Sequence, residues 1–213
     1  MSGGGDDRWS ARRILYQLPV TVLAIAGIGW LLVSNGIDFT DVFHVGGAGT
    51  LFNPFVYTVN VLFHDDWAHY AGNMRLWLPF GILLTLMTSN RHVLGLVVVT
   101  NFLTILVAIT IEGPGVGISH VVLGVAAATL VRSAGYAFQN ASTALLQYVI
   151  AGLLIPTAGG LLLVMILAGP RWIGDFHHFL GFLFGGAIES IYVFGDRETE
   201  QESERAIPRN LGR

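Results

Sequence analysis

Stretches of 20 residues or more without a formal charge include Ile14–Val33, His92–Ile111 and Ala144–Ala168. A helix rises about 1.5 Å per residue, so about 20 apolar residues cover the roughly 30 Å hydrocarbon core of a bilayer. Only 12% of the 213 residues are charged while 53% are hydrophobic, against about a quarter charged in an average soluble domain. The mean hydropathy is +0.63. These features predict a polytopic membrane protein with no room for a separate soluble domain. The chain has no cysteine, which excludes disulfides, thiolate metal sites and cysteine nucleophiles.

Six spans are expected: Ile14–Val33, Trp67–Thr88, His92–Ile111, Ser119–Val131, Ala144–Ala168 and Phe176–Phe194. Residues 1–13 form a polar lead, too long for a cleavable signal, and the first span is expected to be retained. Residues 195–213 form a charged tail, expected to be mobile. All basic residues are arginine, and their placement sets the orientation. Arg8, Arg12, Arg13, Arg91, Arg132, Arg197, Arg205, Arg209 and Arg213 fall on one side of alternating spans, and Arg171 alone falls on the other. By the positive-inside rule both termini are cytoplasmic, in a multi-pass protein of the cell membrane. The long first outer loop, 34–66, carries an apolar patch that reads as an interfacial or partly inserted segment lying against the bundle.

The fourth span is the unusual one. A glycine-rich stretch, Gly113-Pro114-Gly115-Val116-Gly117, runs into Ser119, and only 13 residues separate Ser119 from Arg132. That is roughly 20 Å of helix, so one end is expected to stop short of the surface. Ser119 is then expected at the base of a wet cavity, because irregular backbone survives at depth only where protein or water covers it.

Polar side chains inside a membrane are costly and mark function. One group, His64-Asp65-Asp66-Trp67-Ala68-His69-Tyr70-Ala71-Gly72-Asn73, opens the second span, with His69 and Asn73 four apart on one helix face. Another, Asp175-Phe176-His177-His178, opens the sixth, followed by Gly181 and Gly185 as a small-xxx-small face. Spacing does not choose between His177 and His178. Arg75 and Glu189 read as snorkelling or as structural pairs. All three main groups sit at the outer ends of spans, so they are free to converge. A serine needs a base to become a nucleophile, and acyl transfer needs donors for the oxyanion. His69, Asn73 and the Ser119 N–H are donors of the right type. The same imidazoles and carboxylates also suit a metal site at His64, His69, His177 and His178 with Asp65, Asp66 and Asp175. They lack a signature such as His-Glu-x-x-His and leave the serine loop unexplained.

The motifs HDDWAHYAGN (64–73), GIS (117–119) and HFLGFLFG (178–185) stand in this order on the expected spans and side. In them the chain resembles the rhomboid intramembrane serine proteases of the prokaryotic six-span type, over residues 14–194. The resemblance implies an all-α membrane protein, a six-transmembrane-helix rhomboid-like bundle with a short central fourth helix. It implies a Ser119–His178 dyad, with His69, Asn73 and the Ser119 N–H lining the oxyanion hole. Gly117, His64 and His120 are auxiliary candidates. It also implies an endopeptidase that cleaves transmembrane segments near the outer face, needing no cofactor and no metal. The implied partners are the lipid bilayer and transmembrane protein substrates, not nucleic acid. The alternative within the family is a catalytically weak or inactive relative that binds transmembrane clients. The chain departs from the family pattern in three places: His120 stands where glycine is usual, Leu123 stands where tyrosine is frequent, and the first loop lacks a tryptophan-arginine pair.

Overall fold

The computed structural model describes residues 18–43, 52–108, 117–140 and 176–206, with backbone alone at 136–140 and 196–206. Among the described residues every regular element is helical. The α-helices are α1 (Val20–Ser34), α2 (Phe39–Phe43), α3 (Trp67–Met87), α4 (Asn90–Ala108), α5 (Ser119–Asn140) and α6 (Phe176–Ala206). Two 3₁₀ turns, Pro54–Tyr57 and Asn60–Leu62, lie in the first loop. The expected fifth span, Asp175, the 113–116 stretch and the outermost arginines lie outside the described residues.

Local sequence sets the helix ends. α1 starts after Pro19 and stops at Gly36, whose φ of 62° suits a residue without Cβ. α3 starts at Asp66, whose carboxylate accepts the His69 N–H at 2.7 Å, an N-cap bond.

Burial follows helical periodicity, but polarity is inverted. On α4 the buried positions are 93, 96, 97, 100, 101, 104, 105 and 108, one stripe at three-four spacing. That stripe contains Thr100, Asn101 and Thr104, whereas the exposed face carries Leu94, Val98, Val99, Phe102, Leu106 and Val107. On α1, likewise, Val22, Ala26 and Gly29 are buried while Leu23, Ile28, Trp30 and Leu31 are exposed. A helix built for water has the opposite arrangement. By length and composition, α4 and the Phe176–Gly195 part of α6 can cross a membrane; Val20–Ser34 and Ser119–Gly135 are apolar but shorter.

Hydrogen bonds and close contacts fix the directions. Tyr70 Oη donates to the Ala26 carbonyl at 3.0 Å and Trp77 Nε1 to that of Val22 at 3.0 Å, so α1 and α3 are antiparallel. Thr129 Oγ1 reaches the Phe80 carbonyl and Ser133 reaches Met87, so α3 and α5 are parallel. Between α5 and α6 the backbones touch. A Cβ at Gly181 would lie 2.0 Å from the His120 carbonyl oxygen, and one at Gly185 would lie 2.2 Å from that of Gly124. The small-xxx-small face is therefore filled by α5, in parallel register. α3, α5 and α6 all begin at one end of the bundle, and α4 begins at the other.

Two expectations need correcting. The fourth-span helix is not short: α5 runs 22 residues, through Arg132 to Asn140. Arg132 does not end it, because its guanidinium Nε pairs with Glu189, which is fully buried on α6. The depth of Ser119 therefore does not follow from helix length. The charged tail also begins as helix, since α6 continues to Ala206.

The described parts of the first loop pack against the bundle. Phe39, Phe43, Phe55 and Phe63 make edge and stacked ring contacts at 4.6–5.8 Å. Phe39, Val56 and Phe63 form a buried cluster with Ile105 of α4.

Candidate active site

The end of the bundle where α3, α5 and α6 begin gathers the three motifs. Asp66 caps α3 and so places His69 in its first turn. His69 packs on Gly117: a Cβ there would sit 2.9 Å from the imidazole Cε1 and 3.2 Å from Nε2. Gly117 also has a φ of 104°, so its lack of a side chain serves both the turn and the ring. Its N–H donates to the Asn60 carbonyl at 3.2 Å. The Ile118 carbonyl accepts the Val122 N–H at 2.8 Å, the first intrahelical bond of α5. Ser119 is thus the first helical residue, and N–H groups in this turn have no carbonyl one turn earlier to bond. They point out of the helix start as donors, aided by the positive end of the dipole.

Ser119 is half-buried. One turn beyond His69, Asn73 is buried, and its amide Nδ2 finds no hydrogen-bond acceptor among the described residues. A buried donor left open costs about 1–3 kcal/mol. His64 lies under the loop, edge-on to His69 at 5.4 Å and to Tyr70 at 5.1 Å. Burial first, and the neighbouring His69 second, lower its pKa to about 4, so it is neutral at pH 7. Asp65 stands 3.5 Å from His69 Nδ1.

The two histidines of α6 differ in setting. His177 is buried, its ring 6.3 Å from that of His120. His178 is half-buried, as Ser119 is. In the parallel register set by Gly181 on His120 and Gly185 on Gly124, residue 178 is level with Gly117. The first turn of α6 that carries His178 therefore lies at the level of the turn that begins α5.

His120 is buried, and its Nε2 lies 2.7 Å from Asn101 Oδ1 on α4. Asn101 and Asn60 are polar residues of this region that the motif reading passes over. The signal for Asn101 is present in the sequence as a lone amide in an otherwise apolar span. Arg75 is exposed and stands apart from Glu189. Glu189 instead binds Arg132 and, at 2.6 Å, His92 Nε2, at the opposite end of the bundle. Among the described residues no three histidine, aspartate or glutamate side chains are grouped to hold a metal ion.

Chemically, this end of the bundle carries a half-buried hydroxyl at a helix start, a half-buried imidazole on the neighbouring helix, a second imidazole against the turn before the hydroxyl, and an amide donor on that imidazole's helix. No protein-family model, curated protein or solved structure matches the chain.

Proposed function

We propose that the chain is an intramembrane serine endopeptidase of the rhomboid type. The observation that carries this reading is the packing of His69 against Gly117, at the turn that presents Ser119, with α6 held backbone to backbone on α5 at Gly181 and Gly185. The inverted polarity of α1 and α4 supports a bilayer as the surrounding solvent. In the proposed orientation both termini are cytoplasmic, and six spans place the Ser119 end outward.

His178 is assigned as the base over His177 because its exposure matches that of Ser119. A base must meet substrate and water in turn, whereas His177 is buried against His120. In the proposed cycle, His178 takes the Ser119 proton as Oγ attacks the scissile carbonyl. His69, Asn73 Nδ2 and the Ser119 N–H hold the oxyanion. His178 then protonates the leaving amine, and an acyl-enzyme remains on Ser119. Water, deprotonated by His178, releases the second product. Helical peptide bonds are shielded, so substrates with helix-breaking residues near the outer face are preferred.

Reconstitution with a single-span reporter carrying such residues tests the reading. Cleavage by the wild type and none by Ser119→Ala supports it. Co-purification of an uncut reporter with both proteins points instead to a client-binding relative.

A further inference from the structure

Asn60, Asn101 and His120 close a ring around the nucleophile. The Asn60 carbonyl accepts the Gly117 N–H at 3.2 Å. Three residues later the His120 side chain bonds Asn101 Oδ1 at 2.7 Å. Asn101 Nδ2 donates to Asn60 Oδ1 at 3.0 Å and to the Tyr57 carbonyl at 2.8 Å. The backbone from 117 to 120, with Ser119 inside it, is therefore tied at both ends to one loop residue, once directly and once through α4. The members are deeply buried: Asn60 0%, Asn101 1% and His120 2% exposed.

The ring also fixes its own hydrogens. A backbone carbonyl only accepts, so the Asn101 amide must turn its Nδ2 to Tyr57 and its Oδ1 to His120. His120 Nε2 must then carry a proton and donate it. The His120 carbonyl meanwhile abuts Gly181, so one residue joins the first loop, α4 and α6 at the level of the nucleophile.

We propose that His120 and Asn101 are positioning residues that hold the Ser119 turn in register with the first loop. This rests on the serine-hydrolase reading of Ser119. His120 acts through Asn101 and the backbone, and touches no reacting atom. The ring sets the angle at which α5 presents Ser Oγ and its N–H groups, and it ties that angle to the seating of Tyr57–Asn60. A misplacement of about 1 Å at a reacting centre costs on the order of 10²-fold in rate.

The test is the kinetics of fluorophosphonate labelling at Ser119, separated into kinact and KI, for wild type, His120→Leu, His120→Gln and Asn101→Asp. Leucine keeps bulk without a donor, whereas glutamine restores an N–H toward Asn101. Aspartate keeps the acceptor for His120 but faces Tyr57 and Asn60 with a carboxylate. The expected result is a kinact lower by about 10- to 100-fold in His120→Leu and Asn101→Asp, with KI little changed and substantial recovery in His120→Gln. If His120→Leu does not fold, Asn101→Asp and His120→Gln decide by the same criteria. Wild-type kinact in folded His120→Leu or Asn101→Asp, or no recovery in His120→Gln, overturns the proposal alone. A wild type that fails to label overturns the serine-hydrolase reading, and the proposal with it.

Discussion

At Asn73 a buried amide presents a donor that has no acceptor among the described residues. A side chain kept at that cost is explained if its partner arrives with the substrate as charge develops on oxygen. Asn73→Ala is then expected to lower turnover by about 10²-fold while leaving thermal stability equal or slightly higher. Parallel measurements of kcat and Tm check this, and a fall in Tm at unchanged kcat assigns Asn73 to structure. His64 makes a different prediction. Its folded pKa of about 4 lies below the ordinary 6.5. Between those values the unfolded chain binds the proton and the folded chain does not, so stability falls as pH drops from about 6.5 toward 4 and is unaffected above. His64→Phe is expected to flatten this part of a stability-pH profile measured in detergent. The helix starts that carry the candidate serine and histidines were legible because each follows a glycine or a capping carboxylate. Spacing left His177 and His178 equivalent; the resemblance favoured His178, and burial separates the two. Asn101 was passed over because nothing in the order of residues says that a lone amide meets a histidine 19 positions on.

The element that departs most from expectation is α5. Arg132 reads as the end of a span, yet the helix runs through it, because Glu189 supplies a counter-charge 57 residues later. Removing one member of a buried pair strands the other. Glu189→Gln is expected to cost about 3 kcal/mol, and Glu189→Leu with Arg132→Leu together less than the single change. Equilibrium unfolding of wild type, Glu189→Gln and the double variant measures this order directly. The α5–α6 seam predicts a sharper contrast. A Cβ at Gly181 would fall 2.0 Å from a backbone oxygen, while one at Gly186 would meet Ala127 Cβ at an ordinary 3.5 Å. Gly181→Ala is expected to destabilise by about 1–3 kcal/mol or more, and Gly186→Ala by little. Comparable melting temperatures for the two would refute the seam as described. The glycines themselves were readable as a close-packing face; their partner helix and its parallel direction required the fold.

Across the whole molecule, the apolar outward faces of α1 and α4 and the polar stripe inside α4 suit a chain dissolved in lipid. The helix starts at Trp67, Asn90 and Phe176 were legible to within two residues from where apolar runs begin after polar turns. The boundary at Ser119 was equally legible from its glycines. That the first loop lies against the bundle was legible from its apolar run, but its partner was not, since only the fold brings Val56 and Phe63 to Ile105. What unites these levels is the claim that helix starts are brought together to activate one serine. The most direct test is fluorophosphonate labelling of the detergent-solubilised chain, with the modified residue mapped by mass spectrometry. The account predicts a single adduct on Ser119 that is lost in both Ser119→Ala and His178→Ala, with His177→Ala retaining it. A folded wild type that takes up no probe, or an adduct that survives removal of His178, would contradict it.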